Sequence, residues 1–180
     1  MKHTAVTLVP LMADDREQFI LDNQWAFKHG AMIEFGLRDD HLDGDGEIIS
    51  RRTIEEAIDD PCNETYRIVL DGVSVGGVIL SIDRETHHNH LHILFVSPES
   101  HSKGIGYGAW QAVEAMYPDT ILWETCTPYF EKRNIHFYVN KCGFRIVEFF
   151  HAGHTDPHIP EEDRAPEGPD EMFRFVKEMK

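Results

Sequence analysis

Cysteine is scarce in this chain: Cys62, Cys126 and Cys142 are the only three in 180 residues. An odd count without C-x-x-C spacing offers neither a disulfide framework nor a zinc site, and a reducing, cytoplasmic setting is the expectation. Basic residues are also few, 17 Lys and Arg against 32 Asp and Glu, for a formal net charge of −15. Such a chain repels a phosphate backbone, so nucleic acid is not an expected partner. The acidic excess favours a cationic substrate, or serves only solubility. No apolar run approaches the roughly 20 residues that a membrane helix needs. Residues 1–10 lack the apolar core of a signal peptide, and no membrane partner is expected. What is present is ordinary for a globular protein: 41% hydrophobic residues in a length suited to one domain over residues 1–180.

The stretch 91–117 organises the rest. Leu91-His92-Ile93-Leu94-Phe95-Val96 reads as a buried strand, residues 97–103 as a loop, and the run after Gly104-Ile105-Gly106 as a helix stopped by Pro118. In a strand–glycine loop–helix order the glycines let backbone approach a ligand, and the first helical amides and the dipole favour phosphate. A Walker A site is excluded, because no Gly-Lys-Ser/Thr follows. Gly104, Gly106 and Ala109 satisfy the dinucleotide pattern G-x-G-x-x-G/A in form, with Glu124 about twenty residues on. Seven residues separate those glycines from the strand, however, and too little chain follows for a doubly wound sheet.

The order strand, Val96-x-Pro98-x-x-His101-x-x-Gly104-x-Gly106, helix resembles the acetyl-CoA signature V-x-P-x-x-(Q/R)-x-x-G-x-G/A of the GNAT superfamily of N-acetyltransferases. His101 stands where that family has Gln or Arg. A second block, Asn134-x-x-x-Tyr138 followed by Gly143-Phe144, resembles the family's N-x-x-x-Y…G-F. The resemblance implies a mixed α/β fold: a mostly antiparallel twisted sheet, splayed between strands 4 and 5 and flanked by about four helices. It implies acetyl-CoA as co-substrate, with no metal. The coenzyme would be held by the backbone of Leu94, Phe95 and Val96, by His101, Ser102, Lys103, Gly104, Ile105, Gly106 and Tyr107, and by Asn134.

Along the chain, residues 4–9 read as a first strand and Asp14-Asp15 opens a helix closed by Gly30. Within 31–49, the calcium-like run 43–47 fails, because His41 and Arg52 fall where the first and last ligands belong. Ser50 caps a short helix over 51–58, with Thr53 and Glu56 as a capping box for its later turns. Residues 66–70 and 74–82 form a hairpin around Asp71-Gly72, and Gly76-Gly77 suggests a bulge or close packing. Strands follow at 120–126, 144–150 and 172–177, with Asn134 as N-cap of a helix over 135–142 and Gly143 behind it. The β-α-α-β-β-β-α-β-α-β-β order is that of the GNAT fold.

Moving an acetyl group from a thioester to an amine needs a base for the amine, a donor for the developing oxyanion and an acid for the thiolate. Tyr138 is the candidate acid; its bland alternative is a core tyrosine. Strand alternation places His90, His92, Leu94 and Val96 on one face. The run His-Leu-His-Ile-Leu-Phe-Val resembles the corresponding strand of serotonin (arylalkylamine) N-acetyltransferases, where two histidines remove the amine proton. His92 and His90 are therefore the candidate bases, Glu124 the substitute, and histidines at the wet end of a strand the alternative. His151, His154, His158 and Asp156 read as a surface loop rather than a metal site. The resemblance implies that the acceptor enters between 31–49 and 152–171; both segments are rich in carboxylates, with Glu34 and Phe35 as candidate substrate contacts. Two functions stay open: an acetyl-CoA-dependent N-acetyltransferase acting on a small-molecule or peptide amine, cationic by this reading, or a coenzyme A-binding sensor module without turnover. A homodimer also stays open.

Overall fold

The computed structural model describes residues 5–31, 46–101, 103–159 and 171–179. Among the described residues there are seven strands and four α-helices, a mixed α/β architecture. By their contacts they divide into two compact units, Met1–Thr120 and Ile121–Lys180.

In the first unit β1 (Val6–Pro10), β2 (Asn63–Leu70), β3 (Val73–Ser81) and β4 (His88–Val96) pair in sequence order, every pair antiparallel. The β2–β3 turn has positive φ at both Asp71 (52°) and Gly72 (80°), the geometry an Asp-Gly hairpin turn requires. Gly76 and Gly77 mark a close approach to β4. A Cβ at Gly76 would collide with the Phe95 carbonyl, and one at Gly77 with the rings of Phe19 and Phe95.

Helix α1 (Arg16–His29) follows a short 3-10 turn at Ala13–Asp15 and is capped by Gly30. It buries Phe19, Ile20, Asn23 and Ala26, a stripe at helical spacing. Phe19 meets Phe95 edge to face at 5.2 Å, so α1 lies against the end of β4. Its start is fixed by the buried Arg67 of β2, which donates to Asp15 and Asp22 at 2.6–2.9 Å and sits 5.1 Å over the Phe19 ring. Helix α2 (Arg51–Asp59) is capped by Ser50, whose Oγ accepts the Thr53 amide at 3.1 Å. The cap is thus Ser50 alone; Glu56, expected in a box with Thr53, is bonded to Arg52.

Helix α3 (Ile105–Met116) buries Ile105, Ala109, Trp110 and Val113. Just past its end, the Tyr117 hydroxyl donates to Glu64 of β2 at 2.6 Å, beside that of Tyr66. Burial and that carboxylate push the Tyr117 pKa up.

In the second unit β7 (Met172–Glu178) pairs antiparallel with both β5 (Leu122–Pro128) and β6 (Arg145–Phe150). Helix α4 (Lys132–His136) starts from Glu131 and continues as a π-helical turn, Phe137–Lys141. Asn134 therefore lies inside the helix, not at its cap. Gly143, at φ 80°, takes the left-handed position expected after the helix. No described helix is long and apolar enough to cross a membrane.

Candidate functional site

The loop after β4 is built by backbone requirements. Pro98–Ser100 makes a 3-10 turn, and the chain then reaches Gly104, which at φ 72° serves as N-cap of α3. Glycine adopts that conformation at no steric cost. The Gly108 amide donates to the Gly104 carbonyl at 2.9 Å and closes the first turn. The amides of Ile105, Gly106 and Tyr107 precede that bond and, as in any helix start, have no carbonyl one turn back. With the dipole they make an anion-accepting end. Lys103 donates to the Glu99 carbonyl at 3.4 Å and braces the loop.

His101 reaches back rather than outward. Its Nε2 lies 2.8 Å from the Val96 carbonyl, so Nε2–H donates and ties the loop to the last residue of β4. Leu94, Phe95 and Val96 pair with Val78, Gly77 and Gly76 of β3. Leu94 and Val96 pack with Ile68, Val75, Ile105 and Ala109, whereas Ile93 and Phe95 join the cluster under α1.

The expected one-face arrangement of His90, His92, Leu94 and Val96 is corrected by a β-bulge. Ile93 pairs with Ile79 and Leu91 with Leu80, which leaves His92 as an extra residue without a partner on β3. His90, opposite Ser81, consequently shares the face of Ile93 and Phe95, not that of Leu94. The bulge nevertheless brings the two imidazoles together, centroids 4.4 Å apart. The His92 ring is exposed at its edge but crowded by protein. That crowding lowers its pKa below the usual histidine value, and the Asp60 carboxylate only partly opposes it.

In the second unit Tyr138 lies in the π-helical turn and is 7% exposed, within 5.4–5.6 Å of the rings of Phe137, Phe144 and Phe175. Burial drives its pKa up, Cys142 adds to this, and a hydrogen bond with the Thr125 side chain opposes it. The phenol therefore stays protonated throughout the physiological range. Such a phenol donates a hydrogen bond more readily than it surrenders its proton. Asn134 donates to the Thr127 hydroxyl at 3.4 Å. Glu124, the substitute base, accepts from Arg174 at 2.7 Å, and a carboxylate held on a guanidinium is a poor proton acceptor. Burial and the carboxylates of Glu124 and Asp156 push the Cys126 thiol up to about 12, so it is not a ready nucleophile. His158 is bonded to Asp156, and His154 lies 3.6 Å from Glu148. Among the described residues no three His, Cys, Asp or Glu converge as a metal site.

Ser102, Glu34 and Phe35 lie outside the described residues, as does most of the acidic stretch expected to receive the acceptor. Two polar residues on α1 escaped the sequence reading. The His29 ring meets the His101 ring, and Asn23 is wholly buried with neither amide atom hydrogen-bonded. Nothing in the sequence flags Asn23, which occupies an ordinary core position of the helical stripe.

Residues 22–144 match the model of the Acetyltransferase (GNAT) family. The chain is 53% identical over 140 residues to the uncharacterized protein YrkN of Bacillus subtilis (strain 168), a match covering 76% of each. Its fold is similar to that of an acetyltransferase from Thermus thermophilus, with a TM-score of 0.66 at 16% identity over 99% of this chain and 100% of the other. It is also similar to a spermidine N-acetyltransferase from Vibrio cholerae in complex with CoA and spermine, with a TM-score of 0.65 at 14% identity over 98% and 96%. The chain belongs to the GNAT acetyltransferase family, a class of acyltransferases.

Proposed function

We propose that the protein is an N-acetyltransferase that moves an acetyl group from acetyl-CoA to a primary amine by direct attack in a ternary complex. The observation that carries this reading is the histidine pair on the β4 bulge. Its second member, His92, lies two residues before the Leu94–Val96 segment, and its surroundings lower its pKa. A module that only binds coenzyme has no use for a proton acceptor there.

In this reading the coenzyme diphosphate lies on the amides at the start of α3, and the pantetheine runs along the Leu94–Val96 backbone. A primary amine of pKa near 10.4 is mostly protonated at pH 7, a deficit of roughly 4–5 kcal/mol. His92, with His90 beside it, takes that proton; a positioned base is worth about 10² to 10⁴ in rate. The amine lone pair attacks the thioester carbonyl carbon, and a backbone N–H of the 94–96 segment steadies the oxyanion. The tetrahedral intermediate then collapses with cleavage of the C–S bond. The electron pair leaves on sulfur, where the Tyr138 hydroxyl stabilises the thiolate until it takes up the second proton, which the acylated nitrogen sheds to become an amide. The products are an acetylated amine and coenzyme A.

The acidic composition, and the polyamine named with the Vibrio cholerae neighbour, support a cationic acceptor. The competing reading, a coenzyme sensor, draws on the bond of His101 to Val96, which turns the loop side chain inward. Thiol release from acetyl-CoA across a panel of cationic and neutral amines separates the two. Turnover with cationic amines is expected, whereas binding of acetyl-CoA without turnover by any amine favours the sensor.

A further inference from the structure

Asn63, Ser81 and His90 form one row across the sheet, Asn63 of β2 opposite Ser81 of β3 and Ser81 opposite His90 of β4. Residues directly opposite one another in a ladder project to the same face. That face is the one α2 covers. The Asn63 amide donates to the Ala57 carbonyl of α2 at 2.9 Å, and Ile79 and Ile93, in the next row of that face, share a core cluster with Ile54. Glu64, the following residue of β2, points the other way and meets Tyr117. The end of α2 therefore lies on the side of the histidine pair. The turn after it is tied down at three points: the Asp60 amide donates to the Glu56 carbonyl, Asp60 Oδ1 accepts the Cys62 amide at 2.8 Å, and the Ile82 amide, next to Ser81, donates to the Cys62 carbonyl at 3.3 Å.

Among the described residues, Asp60 is the carboxylate that this end of α2 leaves to the pair. Asp59 accepts from Arg16, and Glu56 accepts from Arg52. Asn63 and Ser81 bring no charge to the row, and β4 itself adds only His88 and His90 beside His92. The Asp60 charge reaches His92, where it favours the protonated ring against the burial that disfavours it. Taking a proton from an ammonium breaks an N–H bond there, forms one on the imidazole and turns the ring into a cation, which later gives the proton to water. A base crowded by protein with no counter-charge is a weak one. We propose that Asp60 is a positioning residue for proton removal, its carboxylate fixed by the Cys62 amide at the end of α2 and stabilising the imidazolium that forms on His92. Asp60 acts through the ring rather than on the acceptor. This role rests on the acetyl-transfer reading.

Asp60→Asn removes the charge and keeps an oxygen for the Cys62 amide, so the turn should hold, which thermal melting checks. Two measurements read the role. Imidazole titration by NMR without substrate, with the His92 signal assigned from His92→Gln, should show a lower His92 pKa in Asp60→Asn than in wild type and a return toward wild type in Asp60→Glu. With the best acceptor of an amine panel, the acidic limb of kcat/KM should move to lower pH in Asp60→Asn while the plateau falls by roughly three- to tenfold. A merely structural lesion lowers the plateau without moving the limb. If Asp60→Asn does not fold, Asp60→Ser, whose hydroxyl can also accept the Cys62 amide, serves the same comparison. An unmoved His92 titration in the charge-free variant, or a wild-type pH profile in it, would overturn the inference and leave the transfer reading intact. A wild-type protein that no amine stimulates would overturn the transfer reading and the role of Asp60 within it, even where the titration moves.

Discussion

The imidazoles of His90 and His92 stand 4.4 Å apart although both belong to one strand, because a β-bulge inserts His92 without a partner on β3. Coupled side chains are not additive on replacement. The double change His90→Gln/His92→Gln should therefore cost little more kcat/KM than the worse single one. Additive losses would mean that the two rings act independently.

His92 also sets the expected pH profile. Burial lowers its pKa below 6.5, so the neutral, proton-accepting form persists as the pH falls below that value. The acidic limb of kcat/KM should lie below pH 6.5 and should move in His92→Gln. A limb that stays in place would transfer the role of base to His90 or to water. The same shift makes protonation of His92 harder in the folded than in the unfolded chain, so its contribution to stability falls as pH drops through 6.5.

Tyr138→Phe should lower kcat by about 10- to 1,000-fold and leave acetyl-CoA affinity nearly unchanged, since only the hydroxyl is lost. Its ring contacts with Phe144 and Phe175 persist in the variant and only the hydrogen bond with Thr125 is lost, so the melting temperature should fall by no more than several degrees. Wild-type turnover by the variant would leave Tyr138 as a packing residue.

Gly104→Ala isolates the role of the left-handed turn. An added Cβ there meets nothing within 4 Å, so the cost is conformational, about 1–2 kcal/mol at φ 72°. Because the strain is confined to the start of α3, coenzyme affinity should drop at least as much as stability. Calorimetry and thermal melting read the two; intact affinity would detach the turn from ligand binding.

Asn23 offers a stability test. Both amide atoms are buried and unpaired, so Asn23→Leu should raise the unfolding free energy by about 1–3 kcal/mol, measured by denaturant titration. A lower midpoint would show that the site does not accommodate the branched side chain.

Much of the fold was legible because apolar spacing and turn chemistry agree along the chain. The Asp71-Gly72 hairpin, the Gly104 start of α3, the Gly30 cap and the strand holding Leu94–Val96 follow from local rules. The β4 bulge was not legible, since nothing in His90-Leu91-His92 distinguishes a regular strand from one with an extra residue; its register is set against β3. The true helix start at Glu131 was hidden by Asn134, a better cap by composition, and the π-helical turn around Tyr138 has no sequence mark. The meeting of His29 with His101 joins residues far apart in sequence, which no spacing rule reaches. The inward turn of His101 toward Val96 was likewise invisible.

The central claim is acetyl transfer to an amine, and initial-rate thiol release tests it most directly when acetyl-CoA and the best acceptor of an amine panel are both varied. The account predicts negligible release without amine, intersecting double-reciprocal lines for a ternary complex, and an acetylated amine as product. It is contradicted if acetyl-CoA binds but no amine accelerates thiol release, or if parallel lines and an acetylated protein point to a covalent intermediate.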